Sequence, residues 1–368
     1  MSSLLKDLYS KEFYHNFAQI LAPLLPKFNG KIFKQLLFDE AWEKRELKAR
    51  MRHTTQVLKQ FFPDDFGEAM SLIENLINNL RLADFKNGQL VFMFLPDYIE
   101  LYGLQNYPQS IKSIEFVTQF ITCEFAVRPF LKQYPAAMME QMLQWAKHPN
   151  ESVRRLASEG ARPRLPWAMA VPHLKTQPNN ILPILERLKD DPSETVRRSV
   201  ANNLNDISKD HPDLVLNVLQ NWAEPLNAQR MALLKHAART LLKSGNPKAL
   251  ALFGLSTSNL IKLTHTHLQS TEIEIGQYLT LQFTLHNPSN KPFALRLEYA
   301  IYFLLANGKW NKKVFKISER QLTENETQTI QKKHSFRPIT TRKYYKGQHF
   351  VGLIINGLEQ VKLPFWLG

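Results

Sequence analysis

The sequence predicts a mainly α chain with a separate all-β domain, a helical solenoid followed by a β-sandwich. Three observations carry that reading. Residues 148 to 160 read HPNESVRRLASEG and residues 191 to 203 read DPSETVRRSVANN, so one Pro-x-Glu-x-Val-Arg-Arg pattern recurs with Pro149 and Pro192 standing 43 positions apart. The segments before them, PAAMMEQMLQWAKHP from Pro135 and PNNILPILERLKDDP from Pro178, correspond at the same spacing, so the repeat spans two helices. From about Ser256 the texture changes to alternation over short runs, as in LTLQFTLHN and HFVGLIING. The expected domains are therefore residues 1–255, helical repeats, and 256–368, a sandwich.

In the helical part apolar residues recur at three and four, as in Leu182, Leu185 and Leu188, and Pro or Gly punctuates them. The spacing predicts helices opening near Ser10, Lys31, Glu43, Asp65, Leu95, Pro108, Val127, Pro135, Glu151, Pro166, Pro178, Ser193, Pro212 and Ala228. Each repeat would turn Val153 or Val196 inward and lean the following arginines, Arg154 with Arg155 and Arg197 with Arg198, towards one exposed face. Beyond Pro212 the Val-Arg-Arg element disappears, as it does in capping repeats. Five strands are expected at 279–287, 294–303, 313–317, 327–336 and 349–357. Turns at Asn287 to Lys291, Asn307-Gly308 and Asn356-Gly357 give the rhythm of an antiparallel sandwich of about seven strands, immunoglobulin-like but without the cysteine pair.

The chain of 368 residues, 44% hydrophobic and 22% charged, is long enough for two cores. Its formal charge of +14 points to an acidic partner, of which nucleic acid is the commonest. Residues 258–368 hold 15 Lys and Arg against 7 Asp and Glu, so the minority of the chain carries more than half of the excess. The runs NGKWNKKVFK (307–316) and RPITTRKYYKG (337–347) set Lys312, Lys313, Arg342 and Lys343 among aromatics, where basic loops could meet phosphates. Cys123 is the only cysteine, which excludes an intramolecular disulfide and a cysteine-rich zinc site and leads us to expect a reducing interior. The start, MSSLLKDLYSKEF, reads as a first helix and not as a signal peptide, and no apolar run reaches spanning length, so no membrane association is expected.

Nucleotide-binding, zinc-protease and esterase motifs are absent, which removes those chemistries as leading readings. His211-Pro212-Asp213 has the spacing of an iron site, but Pro212 and Asp213 suit the first turn of a helix better. Glu124, Glu159 and Asp206 lie close to the arginine rows, with Glu159 following Arg155 by four. By spacing alone these acids fit surface salt bridges, and Trp167, after Arg162-Pro163-Arg164-Leu165-Pro166, fits a core tryptophan.

SVRRLASEGARPRLPWA (152–168), TVRRSVANNLNDISKDHPD (195–213) and the appended sandwich together resemble the AlkC branch of the AlkD-like alkylpurine DNA glycosylases. These are HEAT-like repeat proteins, some with an immunoglobulin-like module. The resemblance implies hydrolysis of the N-glycosidic bond of N3-methyladenine and N3-methylcytosine in double-stranded DNA, without flipping the base. It implies catalytic roles for Glu124, Glu159, Asp206 and Trp167, phosphate contacts from Arg154, Arg155, Arg162, Arg164, Arg197 and Arg198, and a DNA-contacting sandwich. No metal or other cofactor is expected, the protein should act as a monomer in the bacterial cytosol, and the alternative is a non-catalytic helical scaffold that binds nucleic acid.

Overall fold

The computed structural model describes residues 4–224, 227–255, 260–339 and 341–368. Helices occupy the chain as far as the Pro247–Leu252 helix, and strands begin at Lys262. The domain boundary expected at 255/256 borders residues 256–259, which lie outside the described residues. By packing, residues to Asp210 together with Asn227–Ala237 form one compact unit, while the Pro212–Asn221, Arg239–Lys243 and Pro247–Leu252 helices belong with the strands.

Within the helical unit, the two repeats seen in the sequence are the helix pairs Pro135–Trp145 with Glu151–Gly160 and Leu182–Leu188 with Glu194–Ile207. Asn150 caps the first Val-Arg-Arg helix through Ser152 N at 2.8 Å. Val153 and Val196 are both buried, as the pattern requires. The Glu194–Ile207 helix packs between Glu151–Gly160 on one side and Ala228–Ala237 on the other. Small residues allow the close approach: Ser158 Oγ donates to Ser199 Oγ at 2.6 Å, and Asn203 Nδ2 donates to Ser158 O at 2.8 Å. Gly160 ends the first of these helices, where a Cβ would come within 2.7 Å of Val127 Cγ2.

The expected helix at Pro166 does not form. Residues 161–172 are a loop of turns, and the next helix is His173–Thr176. Pro163, Pro166 and Pro172 each bias the residue before them away from helix, which breaks the register three times in ten positions. The expected opening at Glu43 is only a 3₁₀ turn, with the α-helix starting at Leu47.

The strand unit is a two-sheet sandwich of eight strands among the described residues: β1 Lys262–Leu268, β2 Glu272–Ile273, β3 Tyr278–His286, β4 Phe293–Leu304, β5 Trp310–Leu322, β6 Thr327–Ser335, β7 Gly347–Ile355 and β8 Leu358–Leu367. One sheet has the order β1-β3-β6 and the other β2-β8-β7-β4-β5. Their inner faces close over Phe283, Leu285, Leu297, Ile301, Phe303, Leu353 and Phe365. The Asn356-Gly357 turn has positive φ at both residues, 44° and 79°, as a tight hairpin between β7 and β8 demands. β1, β2 and β8 are additions to the strands read from the sequence.

Candidate functional site

The acidic residues singled out in the sequence are brought together within the helical unit. Glu159 lies on the last turn of Glu151–Gly160, and Asp206 on the last turn of Glu194–Ile207. Arg162, just past the first helix, turns between them, donating Nη1 to Glu159 Oε1 at 2.6 Å and Nε to Asp206 Oδ2 at 2.9 Å. Arg155 reaches Glu124 at 3.0 Å and Glu159 at 3.9 Å, while Lys209 Nζ donates to Asp206 at 3.1 Å. Glu124, Arg155, Glu159, Arg162, Asp206 and Lys209 thus form a line of alternating charge.

The Glu159–Arg162–Asp206 part of this line is buried, unlike a surface salt bridge. Glu159 is 5% exposed and Asp206 1%, and burying two carboxylates is tolerable only because cations and hydrogen bonds replace their water. Ser199 supplies one such bond, donating Oγ to Glu159 Oε2 at 2.7 Å. Burial pulls the Arg162 guanidinium down, but the Glu159 charge beside it and the hydrogen bond to Asp206 outweigh that, so it is held above its ordinary value. Glu159 also lines a depression of about 210 Å³ with Arg155, Thr195, Arg198, Ser199 and Asn202. Asp206 does not open onto it, since its carboxylate faces Arg162 and Lys209.

Trp167 is not a core residue but 61% exposed, in the loop after Arg162. Its φ of 64° lies in the left-handed region, which costs a bulky residue about 1–3 kcal/mol and persists only where its surroundings fix it. Arg128, buried, supplies part of that fixing. Its Nη1 donates to Gly160 O and Arg162 O, both at 2.9 Å, and its Nε donates to Met169 O at 3.0 Å. Burial, and then Arg162, push the Arg128 guanidinium down to about 10.

The arginines expected to meet phosphates do not all stand alike in the structure. The first arginine of each pair is half-buried and engages carbonyls of the preceding loop. Arg154 donates Nη1 to His148 O and Pro149 O and grips Asp191 through Nε at 2.6 Å and Nη2 at 3.0 Å. Arg197 repeats the carbonyl contacts one period later, on Asp191 O and Pro192 O. Arg162 is buried between the acids. The reason is geometric: a residue three positions after the first helical residue points back over the preceding loop, whose carbonyls need donors. The second arginines stand differently. Arg155 side chain is 27% exposed, and Arg198 is exposed, with no hydrogen-bond or ion-pair partner among the described residues. Arg164 is exposed and pairs with Asp210 at 2.7 Å.

In the strand unit, Lys312 and Lys313 lie on β5 and not in a loop. Lys312 pairs with Glu359 at 2.8 Å, and Lys313 is exposed. Arg342 lies over the Phe303 ring at 3.9 Å, while Lys343 is exposed. Arg128, Ser199 and Lys209 were missed by sequence reading, since none shares a spacing with the repeat arginines. His211 precedes the Pro212–Asn221 helix and Asp213 pairs with Lys248 at 3.0 Å, so the triplet opens a helix. Among the described residues no group of three or more His, Cys, Asp or Glu is placed to hold a metal ion. No described helix is long and apolar enough to cross a membrane.

Comparison with known proteins agrees with this architecture. Residues 49–241 match the DNA alkylation repair enzyme family, and residues 262–368 match the C-terminal Ig-like domain of the uncharacterised protein YhaZ. The YhaZ protein of Bacillus subtilis (strain 168) is 43% identical over 361 residues, covering 98% of both chains. The solved structure of Pseudomonas fluorescens alkylpurine DNA glycosylase AlkC, bound to DNA containing an abasic site analog, superposes with a TM-score of 0.93 at 33% identity, covering 100% of both chains. The chain belongs to the DNA alkylation repair enzyme family, among its AlkC-like and YhaZ-like members that end in an immunoglobulin-like domain.

Proposed function

We propose that the protein is a monofunctional DNA glycosylase that hydrolyses the N-glycosidic bond of cationic alkylated bases, 3-methyladenine and 3-methylcytosine, in duplex DNA without extruding them. The similarity to AlkC along the whole chain supports the reaction class. The observation that carries the reading is the set of carboxylates ion-paired with Arg155 and Arg162, followed in the next loop by an exposed tryptophan.

Alkylation at N3 makes the base a cation, so it leaves neutral and needs no general acid. Positive charge then develops on the deoxyribose, where a fixed carboxylate stabilises the transition state more than the ground state. Glu159, which lines the depression, and Glu124, whose side chain is 16% exposed, are the carboxylates open to that sugar and to an attacking water. Asp206 works through Arg162, keeping that guanidinium turned so that it does not swing over the depression. The face of Trp167 would lie against the sugar and attract its charge. Arg155, Arg164 and Arg198 would meet phosphates, joined by Lys313 and Lys343 from the strand unit.

The test is single-turnover release of methylated bases from duplex DNA, resolved by chromatography. Glu159→Gln is expected to lose about tenfold or more in rate, an ordinary loss for one electrostatic stabiliser, while still binding an abasic duplex. Asp206→Asn should slow release less. Full rates in both variants would remove the assignment of the chemistry to these acids, and binding without release by the native protein would leave only a nucleic-acid-binding scaffold.

A further inference from the structure

The Trp167 loop is held at its backbone from two directions. Arg128 takes the carbonyls of Gly160, Arg162 and Met169, which flank the tryptophan. The carbonyl of Trp167 itself accepts from Lys48 Nζ at 2.7 Å. Lys48 comes from the Leu47–Lys59 helix, 119 residues away in sequence. The same ammonium stands 5.3 Å from the ring centre of Phe125, the neighbour of Glu124. One flexible cation therefore touches both segments that carry the exposed parts of the site.

We propose that Lys48 is a positioning residue, latching the Trp167 loop to the Glu124 segment so that the indole and the carboxylate meet the same sugar. The inference rests on the glycosylase reading above. A tryptophan with positive φ and a largely exposed ring has little packing to hold it, so its orientation depends on backbone contacts, and among the described residues the Lys48 bond is the one made by residue 167 itself. Arg128 fixes the loop ends as part of the fold, being buried. Lys48 is exposed, so its loss should leave the fold intact and be felt in alignment. Misplacement by about 1 Å can cost up to about a hundredfold in rate. The nearby acids Asp97 and Glu100 are paired instead with Arg52, one turn along the same helix, at 2.8 and 3.0 Å.

Lys48→Met, Lys48→Arg, Trp167→Ala and the double variant Lys48→Met with Trp167→Ala decide the matter. Under single-turnover conditions at saturating protein, Lys48→Met should release methylated base about tenfold more slowly with unchanged thermal midpoint and unchanged affinity for an abasic duplex. Lys48→Arg should recover most of the rate, and the double variant should be no slower than Trp167→Ala alone. Losses that multiply in the double variant, a loss seen only in duplex affinity, or a native rate in Lys48→Met would each overturn the latch. A second readout is independent of catalysis: Trp167 emission, taken as the difference from each protein's Trp167→Phe counterpart, should shift in Lys48→Met. If the native protein released no base, the glycosylase reading would fall, and an unshifted emission would separately refute the latch.

Discussion

Replacing Arg162 by Gln perturbs the site at its electrostatic centre. The guanidinium makes two charge-assisted bonds, 2.6 Å to Glu159 and 2.9 Å to Asp206, and its removal strands two buried carboxylates. Breaking a buried pair by deleting one partner costs about 3–5 kcal/mol. Glu159 keeps the Ser199 hydroxyl and Asp206 keeps Lys209, and glutamine can still donate one bond, so the lower end, about 3 kcal/mol, is expected. The sign of the pH dependence follows from the charges. In the variant the folded state is burdened by two negative charges that the unfolded chain solvates freely, and taking up a proton relieves that burden. The folded variant therefore binds protons more readily than the unfolded chain, and its deficit shrinks as pH falls from 8 towards 5. Urea unfolding of both proteins at pH 8, 6 and 5 measures it. A deficit below about 1 kcal/mol, the value of an exposed ion pair, or one that does not change with pH, would refute the account of Glu159 and Asp206 as a buried pair bridged by Arg162.

Three further predictions concern other residues. Burial, with Arg342 and Lys332 nearby, holds the His334 imidazole down at about 4 from 6.5, so the folded state resists a proton that the unfolded chain accepts. Stability should then fall as pH drops from about 6.5 to 4, by about 2 kcal/mol after allowing for partial exposure, and His334→Phe should flatten that slope in urea titrations. Arg154→Met should destabilise the helical unit by about 3 kcal/mol, since it strands Asp191, yet leave the salt dependence of duplex binding unchanged. Arg198→Gln should do the reverse, reducing the salt slope by about one with little effect on unfolding.

Helical repeats and strands were legible because their signals are local. A 43-residue period with Val at its core position needs no tertiary knowledge, and neither do the Asn-Gly turns. β8 was not legible because LEQVKLPFWL carries Pro364 and keeps Trp366 exposed, so its alternation is faint. The acids of the site could be named, but not their burial. Spacing cannot tell a surface ion pair from one closed under a loop, and the loop here is shaped by Pro163, Pro166 and by Arg128, whose position relative to the repeat arginines carries no period. The arginines show the same limit from the other side: Arg154 and Arg155 are neighbours in sequence, yet one is consumed by carbonyls and Asp191 while the other stays half open.

That asymmetry bears on how the proposed chemistry would begin. A site that stabilises a cationic sugar must hold negative charge ready, but bare carboxylates would repel DNA phosphates and one another. Interleaved cations solve both problems, provided one of them can leave. Arg162, with a side chain 10% exposed and fixed at two points, is the permanent member. Arg155, 27% exposed and bonded to Glu124 at 3.0 Å and to Thr122 Oγ1 at 3.1 Å, is the more open one. On the proposed reading an arriving phosphate draws Arg155 away from Glu124, and the carboxylate is unmasked only when a DNA strand is present to supply the positive charge it then faces. Binding and activation of the acid are in that case a single electrostatic event, and water meets an unpaired Glu124 only in the complex.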